Sequence, residues 1–306
     1  MEHGRLPGAA APVSRCVFGA SGVRDSSKFA LLDAYVQAGG NCLDTARVYG
    51  GGASERAVGE WLRRTRPDRL VIIAKGAHPP NCTPQAVATE LDVTLETLGV
   101  DRVELYLLHR DDPAVPAGEF VDALQAEVAA GRIGAYGGSN WTAGRLAEAN
   151  AYASAHGHDG MVAVSNHFSL AEPDEPLYPG CEATPPELRG YLTETGGCLI
   201  PWSSQARGFF ADVPKESLDP NVWRCWGSAA NYARRDRARA LAERLDVLTI
   251  NIALAYVLAQ PFATFPIIGP QTAGELAIAL RGADLRLDAG QLRWLELGAG
   301  VEYAAR

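Results

Sequence analysis

Four side chains that together can move a proton onto and off a carbonyl oxygen fall at matching places in this chain. Asp44 closes the run GGNCLD, Tyr49 follows in the next few residues, Lys75 closes LVIIAK and His109 closes VELYLLH. A free phenol titrates near 10, too high for efficient proton exchange at neutral pH. A neighbouring ammonium favours the phenolate, so Lys75 is expected to lower the pKa of Tyr49. Asp44 can pair with Lys75 and hold the ammonium in place. His109 can hydrogen-bond a carbonyl oxygen or relay a proton. Each residue alone is an ordinary polar strand end. All four at the ends of consecutive strands predict carbonyl reduction, or its reverse, with Tyr49 as the acid/base.

The elements that must position these groups alternate along the chain. Short apolar or β-branched runs at 16–19, 41–44, 70–74, 103–108, 133–137, 162–165, 198–202 and 264–268 read as strands. Amphipathic stretches at 27–38, 54–64, 84–97, 118–130, 142–156, 184–195, 235–245, 249–259 and 272–282 read as helices between them. Thr83-Pro84 is an N-cap followed by Pro at the first helical position, and Gly39-Gly40, Gly99 and Gly131 follow helices where a left-handed residue is wanted. Eight strand–helix units in 306 residues predict the α/β class and one closed (β/α)8 TIM barrel spanning 1–306. Residues 1–13 read as a flexible tail. Adjacent barrel strands lie about 4.8 Å apart, so their ends converge on one small volume. Two long loops break the rhythm after strands six and seven, 171–183 and 203–234, the second carrying Trp223, Trp226 and Tyr232. Loops after strands lie at the catalytic face of a barrel. These two are expected there as lids or substrate walls, or as aromatic packing of the loop onto the barrel.

Composition excludes several other classes. Lys and Arg total 28 against 36 Asp and Glu, a net charge of −8, which gives no electrostatic footprint for nucleic acid or an anionic membrane. The longest apolar stretch, 250–258, is too short to span a bilayer. The first residues have no apolar signal-peptide core. The six cysteines form no CxxC pair and read as reduced thiols of a cytoplasmic protein, with Cys42 and Cys198 in the core. No His, Cys or acidic cluster has metal-ligand spacing, so no metal is expected.

With these residues in view, the chain resembles the aldo-keto reductases over about residues 14–300. The carrying segments are NCLDTARVYGGGASERAVGEWL, VIIAKG, DRVELYLLHRDDP, GGSNW, PWSSQARGFF and FPIIGPQTAGEL, in that family's order. The resemblance implies a catalytic tetrad of Asp44, Tyr49, Lys75 and His109. It also implies hydride transfer from NADP(H) or NAD(H) bound in extended form without a Rossmann domain, and the chain has no GxGxxG after a strand. Ser139 and Asn140 match the pair that holds the nicotinamide carboxamide. The family often adds a glutamine from strand six, where this chain offers Ser165, or Asn166 one register along. Trp202 falls where the family often stacks a tyrosine on the nicotinamide, or packs the barrel end. Ser203, Gln205 and Arg207 match the loop around the pyrophosphate.

The last of these segments departs from the resemblance. Gly269 lies in the turn where the family holds the adenosine side of its cofactor. The resemblance implies NADP(H), with arginine or lysine on the 2′-phosphate, yet Gln271 and Glu275 occupy those places. A carboxylate repels a phosphate and accepts from a free ribose hydroxyl, so NAD(H) competes with NADP(H). Glu275 as a plain surface residue, with Arg281 serving the phosphate, is the other reading.

The expected reaction is reversible hydride transfer between NAD(P)(H) and a small-molecule carbonyl or alcohol, a sugar or a specialised metabolite. Two alternatives use the same residues: a redox-neutral epimerase or isomerase with tightly held NAD, and a non-catalytic nucleotide-binding regulatory barrel. His78 is a candidate pocket residue or an exposed loop residue. His167 is a pocket group or packs behind strand six.

Overall fold

The computed structural model describes residues 1–298; residues 299–306 of the expected domain lie outside the described residues. Seven parallel strands follow in sequence order: β1 (Val17–Gly19), β2 (Cys42–Asp44), β3 (Val71–Gly76), β4 (Val103–Leu108), β5 (Ile133–Ser139), β6 (Met161–Ser165) and β7 (Cys198–Leu199), each paired with the next. The eighth, β8, has two halves. Ala263–Thr264 pairs with β7, and Ile267–Ile268 pairs with β1. Pro266 between them cannot donate to a ladder, but its carbonyl accepts from Val17 N at 2.9 Å. One short segment thus joins the last strand to the first, and the sheet closes into a (β/α)8 barrel.

Strand alternation sorts every side chain to one of two places. Val17, Cys42, Val71, Ile73, Leu105, Leu107, Ala163, Cys198 and Ile200 fill the barrel interior. The residues between them, including Phe18, Leu43, Ile72, Ala74, Tyr106, Leu108, Val164 and Leu199, pack outward against the helices. Burial on both faces explains why the central strands read as continuous apolar runs.

The helical layer comprises α1 (Phe29–Gln37), α2 (Ala53–Thr65), α3 (Pro84–Leu98), α4 (Ala117–Ala129), α5 (Ala143–Ala155), α6 (Pro186–Thr195), α7 (Pro220–Trp226), α8 (Ala229–Leu245), α9 (Thr249–Leu258), α10 (Ala273–Ala283) and α11 (Ala289–Leu297). Thr83 caps α3 as expected, its side chain accepting from Ala86 N. α7 and α11 are additional to the expected helices, and α8 begins earlier than the expected 235.

Residues 1–13 correct the expectation of a flexible tail. His3–Gly4 pairs antiparallel with Val13–Ser14, and Leu6 and Val13 are buried with Val17 and Phe265. The open lower end of the barrel exposes apolar interior, and this ribbon covers it. At the opposite, C-terminal face lie the two long loops. Arg224 donates to Glu175 Oε2, Pro176 O and Leu177 O, and Glu172 N donates to Asn231 Oδ1. Most of the loop aromatics hold that structure together. Trp226 is buried, and Trp223 stacks on Tyr232 with centroids 6.3 Å apart.

Candidate active site

Alternation explains how three of the four polar residues meet. Asp44 shares the parity of Cys42, Lys75 that of Val71 and Ile73, and His109 that of Leu105 and Leu107, so all three point inward one step above the last apolar layer. Their exposures are 2, 1 and 7%. Lys75 Nζ pairs with Asp44 Oδ1 and donates to the Tyr49 hydroxyl at 3.2 Å. That hydroxyl donates to Asp44 Oδ2 at 3.4 Å. The His109 ring stands edge-on to Tyr49, with centroids 5.7 Å apart.

Tyr49 lies beyond its strand, so the turn must place it. Thr45 N and Arg47 N continue the β2–β3 ladder to Ile73 O and Lys75 O. Gly50, Gly51 and Gly52 then take left-handed φ values of 59, 61 and 84° and swing the chain into α2. Arg47 pairs with Glu55 in the first turn of that helix, and Thr94 Oγ1 donates to the same carboxylate at 2.8 Å. Glu55 is fully buried. Arg47, Glu55 and Thr94 brace the turn, a role the sequence reading missed. An acidic residue at the start of α2 was the only trace of it.

The electrostatics correct one expectation. Burial, and then the charge of Asp44, push the Tyr49 phenol above its ordinary value, and the lowering by Lys75 does not overcome them. The phenol therefore holds its proton at neutral pH. Burial alone would lower Lys75, but Asp44 and Tyr49 outweigh it and hold the ammonium above its usual value. Burial raises the Asp44 carboxyl more than Lys75 lowers it. Burial, then Lys75, Arg110 and His78, hold His109 well below its ordinary value, so its imidazole is neutral.

The expected cofactor residues divide. Ser139 Oγ donates to Ser165 O at 2.8 Å, and Asn140 Nδ2 donates to Ser139 Oγ and His109 O. Ser165 Oγ is buried with no partner, which fits a site made for a carboxamide. Asn166 is a correction: its amide is held by Trp141 N, Trp141 O and Ala183 O. Strand parity sends Ser165 inward and Asn166 outward. Trp202 is half-buried at the end of β7, its ring 5.2 Å from His167. His167 packs between Trp202 and Trp226, and burial pushes it down to about 3. It backs Trp202 as a neutral ring.

Ser203 and Arg207 take positive φ in the turn after β7. Gln205 Nε2 donates to Ile250 O at 3.2 Å. Arg207 is exposed, donates to Tyr178 OH at 3.0 Å and lies 3.8 Å from Asp219. A side chain at Gly269 would meet open space. Glu275 N donates to the Thr272 side chain that caps α10, and Glu275 Oε2 accepts from Gln271 N at 2.8 Å, so this carboxylate folds back onto the turn before the helix. Lys28 Nζ donates to Gln271 O at 2.8 Å, bringing to this turn a cation that the sequence reading did not identify. Arg281 turns away, towards Asp246 O.

A closed barrel with a buried Lys–Asp pair, a phenol and a neutral imidazole at its C-terminal mouth defines an oxidoreductase of the TIM-barrel class. The family model described as "Aldo/keto reductase family" matches residues 17–296. The chain belongs to the aldo/keto reductase family and is an NAD(P)-dependent oxidoreductase. It is similar to an uncharacterized oxidoreductase, YrpG, of Bacillus subtilis, at 27% identity over 96% of this chain and 95% of that one. It is also similar to the norsolorinic acid reductase stcV of Emericella nidulans, at 26% identity over 90% and 72% of the two chains. The crystal structure of a thermostable aldo-keto reductase, Tm1743, superposes with a TM-score of 0.77 at 22% identity, covering 97% of this chain and 99% of that one. Among the described residues no helix is long and apolar enough to cross a membrane.

Proposed function

We propose that this chain reduces aryl carbonyl compounds, and oxidises the corresponding alcohols, with Tyr49 as the proton donor. The observation that carries this reading is the buried Asp44–Lys75–Tyr49 chain, in which the phenol keeps its proton while an ammonium stands 3.2 Å from its oxygen. A bound nicotinamide would supply the hydride to the carbonyl carbon. As negative charge grows on the carbonyl oxygen, Tyr49 gives its proton to it. Lys75 stabilises the phenolate left behind, and Asp44 keeps the ammonium in register. The neutral His109 ring can offer an N–H to the same oxygen. Tyr49 regains its proton from water once the product has left. The aromatic substrate class is supported by the rings at the mouth: Tyr49, His109 and His78.

Ser139 and Ser165 are suited to the carboxamide, Trp202 to the nicotinamide face, and Ser203, Gln205 and Arg207 to the pyrophosphate. Gly269, Gln271 and Glu275 would border the adenosine ribose. The turning back of Glu275 and the arrival of Lys28 at Gln271 favour NADP(H) over NAD(H). Quenching of tryptophan fluorescence tests this, with Trp202 as reporter. NADPH is expected to bind at least about tenfold more tightly than NADH, the scale of one charge-assisted contact. Tighter NADH would restore Glu275 as a ribose ligand, and quenching by neither would remove the cofactor assignment.

A further inference from the structure

Glu90 belongs to α3 and to no part of the tetrad, yet its carboxylate reaches the end of β3. That strand delivers Lys75 and then Gly76, and the next residue, Ala77, is fully buried with a left-handed φ of 55°. Such backbone is unfavourable for alanine, because its Cβ crowds the following carbonyl. A partner must hold it there. Ala77 N donates to Glu90 Oε2 at 2.8 Å, a bond strengthened by the charge of the carboxylate. Asn81 Nδ2 donates to the other oxygen, Oε1, at 3.4 Å. One carboxylate thus grips both ends of the 77–81 turn.

The turn meets the site in two places. Ala77 N and Gly76 O belong to one peptide plane, whose N–H and C=O point opposite ways. Glu90 takes the N–H, and Gly76 O accepts from His109 N at 2.7 Å. The His78 ring, inside the turn, stands edge-on to His109 with centroids 5.1 Å apart. Gly76 has no room for a side chain: a methyl there would lie 2.0 Å from Tyr106 OH and 2.9 Å from Glu90 Oε2. The carboxylate therefore lies directly against the backbone that follows Lys75.

We infer that Glu90 is a positioning residue for the reaction: by fixing the Gly76–Ala77 peptide it sets the end of β3 and the backbone of His109, and so the places of Lys75 and His109 at the mouth. The inference rests on the carbonyl-reductase reading, because it names a residue that serves the proposed tetrad.

Three variants test it. Glu90→Ala removes both acceptors, and Glu90→Gln keeps an oxygen for Ala77 N. Thr83→Ala removes the cap of the same helix and leaves both ends of the turn alone. Each is assayed for benzaldehyde reduction and for NADPH binding, and residue-resolved amide exchange of His109 is read on the same samples. The kcat of Glu90→Ala is expected to fall at least about tenfold, the scale of a sub-ångström misplacement of reacting groups, with the NADPH Kd unchanged. Glu90→Gln should recover most of that loss, and Thr83→Ala should keep the wild-type kcat. The His109 amide should exchange faster in Glu90→Ala than in Thr83→Ala. Faster exchange in Glu90→Ala without turnover by the wild type would sustain the hold of Glu90 on His109 and sink the reductase reading. A kcat and a His109 exchange rate in Glu90→Ala equal to those of Thr83→Ala would overturn the inference.

Discussion

Lys75 is a charged side chain with 1% exposure, tolerated because Asp44 is buried against it and Tyr49 accepts from it. Removing one member of such a pair leaves the other charge uncompensated, at a cost of about 3–5 kcal/mol. Lys75→Met should therefore destabilise the protein by about that amount in urea unfolding. The Asp44→Asn/Lys75→Met double variant should be more stable than Lys75→Met alone. The deficit also has a pH sign. A carboxyl whose folded pKa is raised gives most stability while protonated and loses it as pH rises through that value. Asp44 is already raised, and losing Lys75 raises it further. The Lys75→Met deficit should be larger in mildly alkaline than in mildly acidic buffer. A double variant no more stable than the single one would show that the pair is not coupled.

At the scale of elements, the turn between β2 and α2 decides where Tyr49 stands. Gly52 has a φ of 84°, and a methyl there would lie 2.6 Å from the Arg47 guanidinium. Left-handed backbone costs a non-glycine residue about 1–2 kcal/mol. Gly52→Ala should lose that stability and press Arg47 off Glu55. The expected result is a fall in kcat of at least about tenfold, from misplacement of the Tyr49 hydroxyl, with cofactor affinity unchanged. An unchanged kcat would mean that the brace does not position Tyr49.

This turn also marks what the sequence could tell. Strand parity was legible, and it alone aims Asp44, Lys75 and His109 inward. The same parity, applied to residues 165 and 166, would have separated Ser165 from Asn166. The brace was not legible, because the Arg47–Glu55 pairing depends on three successive left-handed residues. Glu275 stayed between two roles in the sequence, because its type fits a ribose ligand while its place in the first turn of α10 lets it fold back onto the preceding turn. The ribbon of residues 1–13 read as a tail because, among glycines, alanines and prolines, only Leu6 and Val13 signal burial. The direction of the Tyr49 shift was missed because burial and Asp44 act against Lys75, and depth of burial is a tertiary property.

The whole barrel turns dispersed positions into one site. Asp44, Lys75, His109, Ser165 and Trp202 come from five strands or their ends, and closure of β8 onto both β7 and β1 fixes their common mouth. Below, the N-terminal ribbon seals the interior; above, the loops after β6 and β7 are joined through Arg224 and Asn231. On the proposed reading, closure at one end and rings at the other would direct the substrate to the phenol. The most direct test is the rate of NADPH-dependent reduction of benzaldehyde by Tyr49→Phe, with cofactor quenching measured on the same sample. Tyr49 as the general acid predicts a loss of about 10²–10⁴-fold in kcat, the contribution of a positioned proton donor, with NADPH binding unchanged. Reduction within about tenfold of the wild type would contradict it, because another group would then supply the proton.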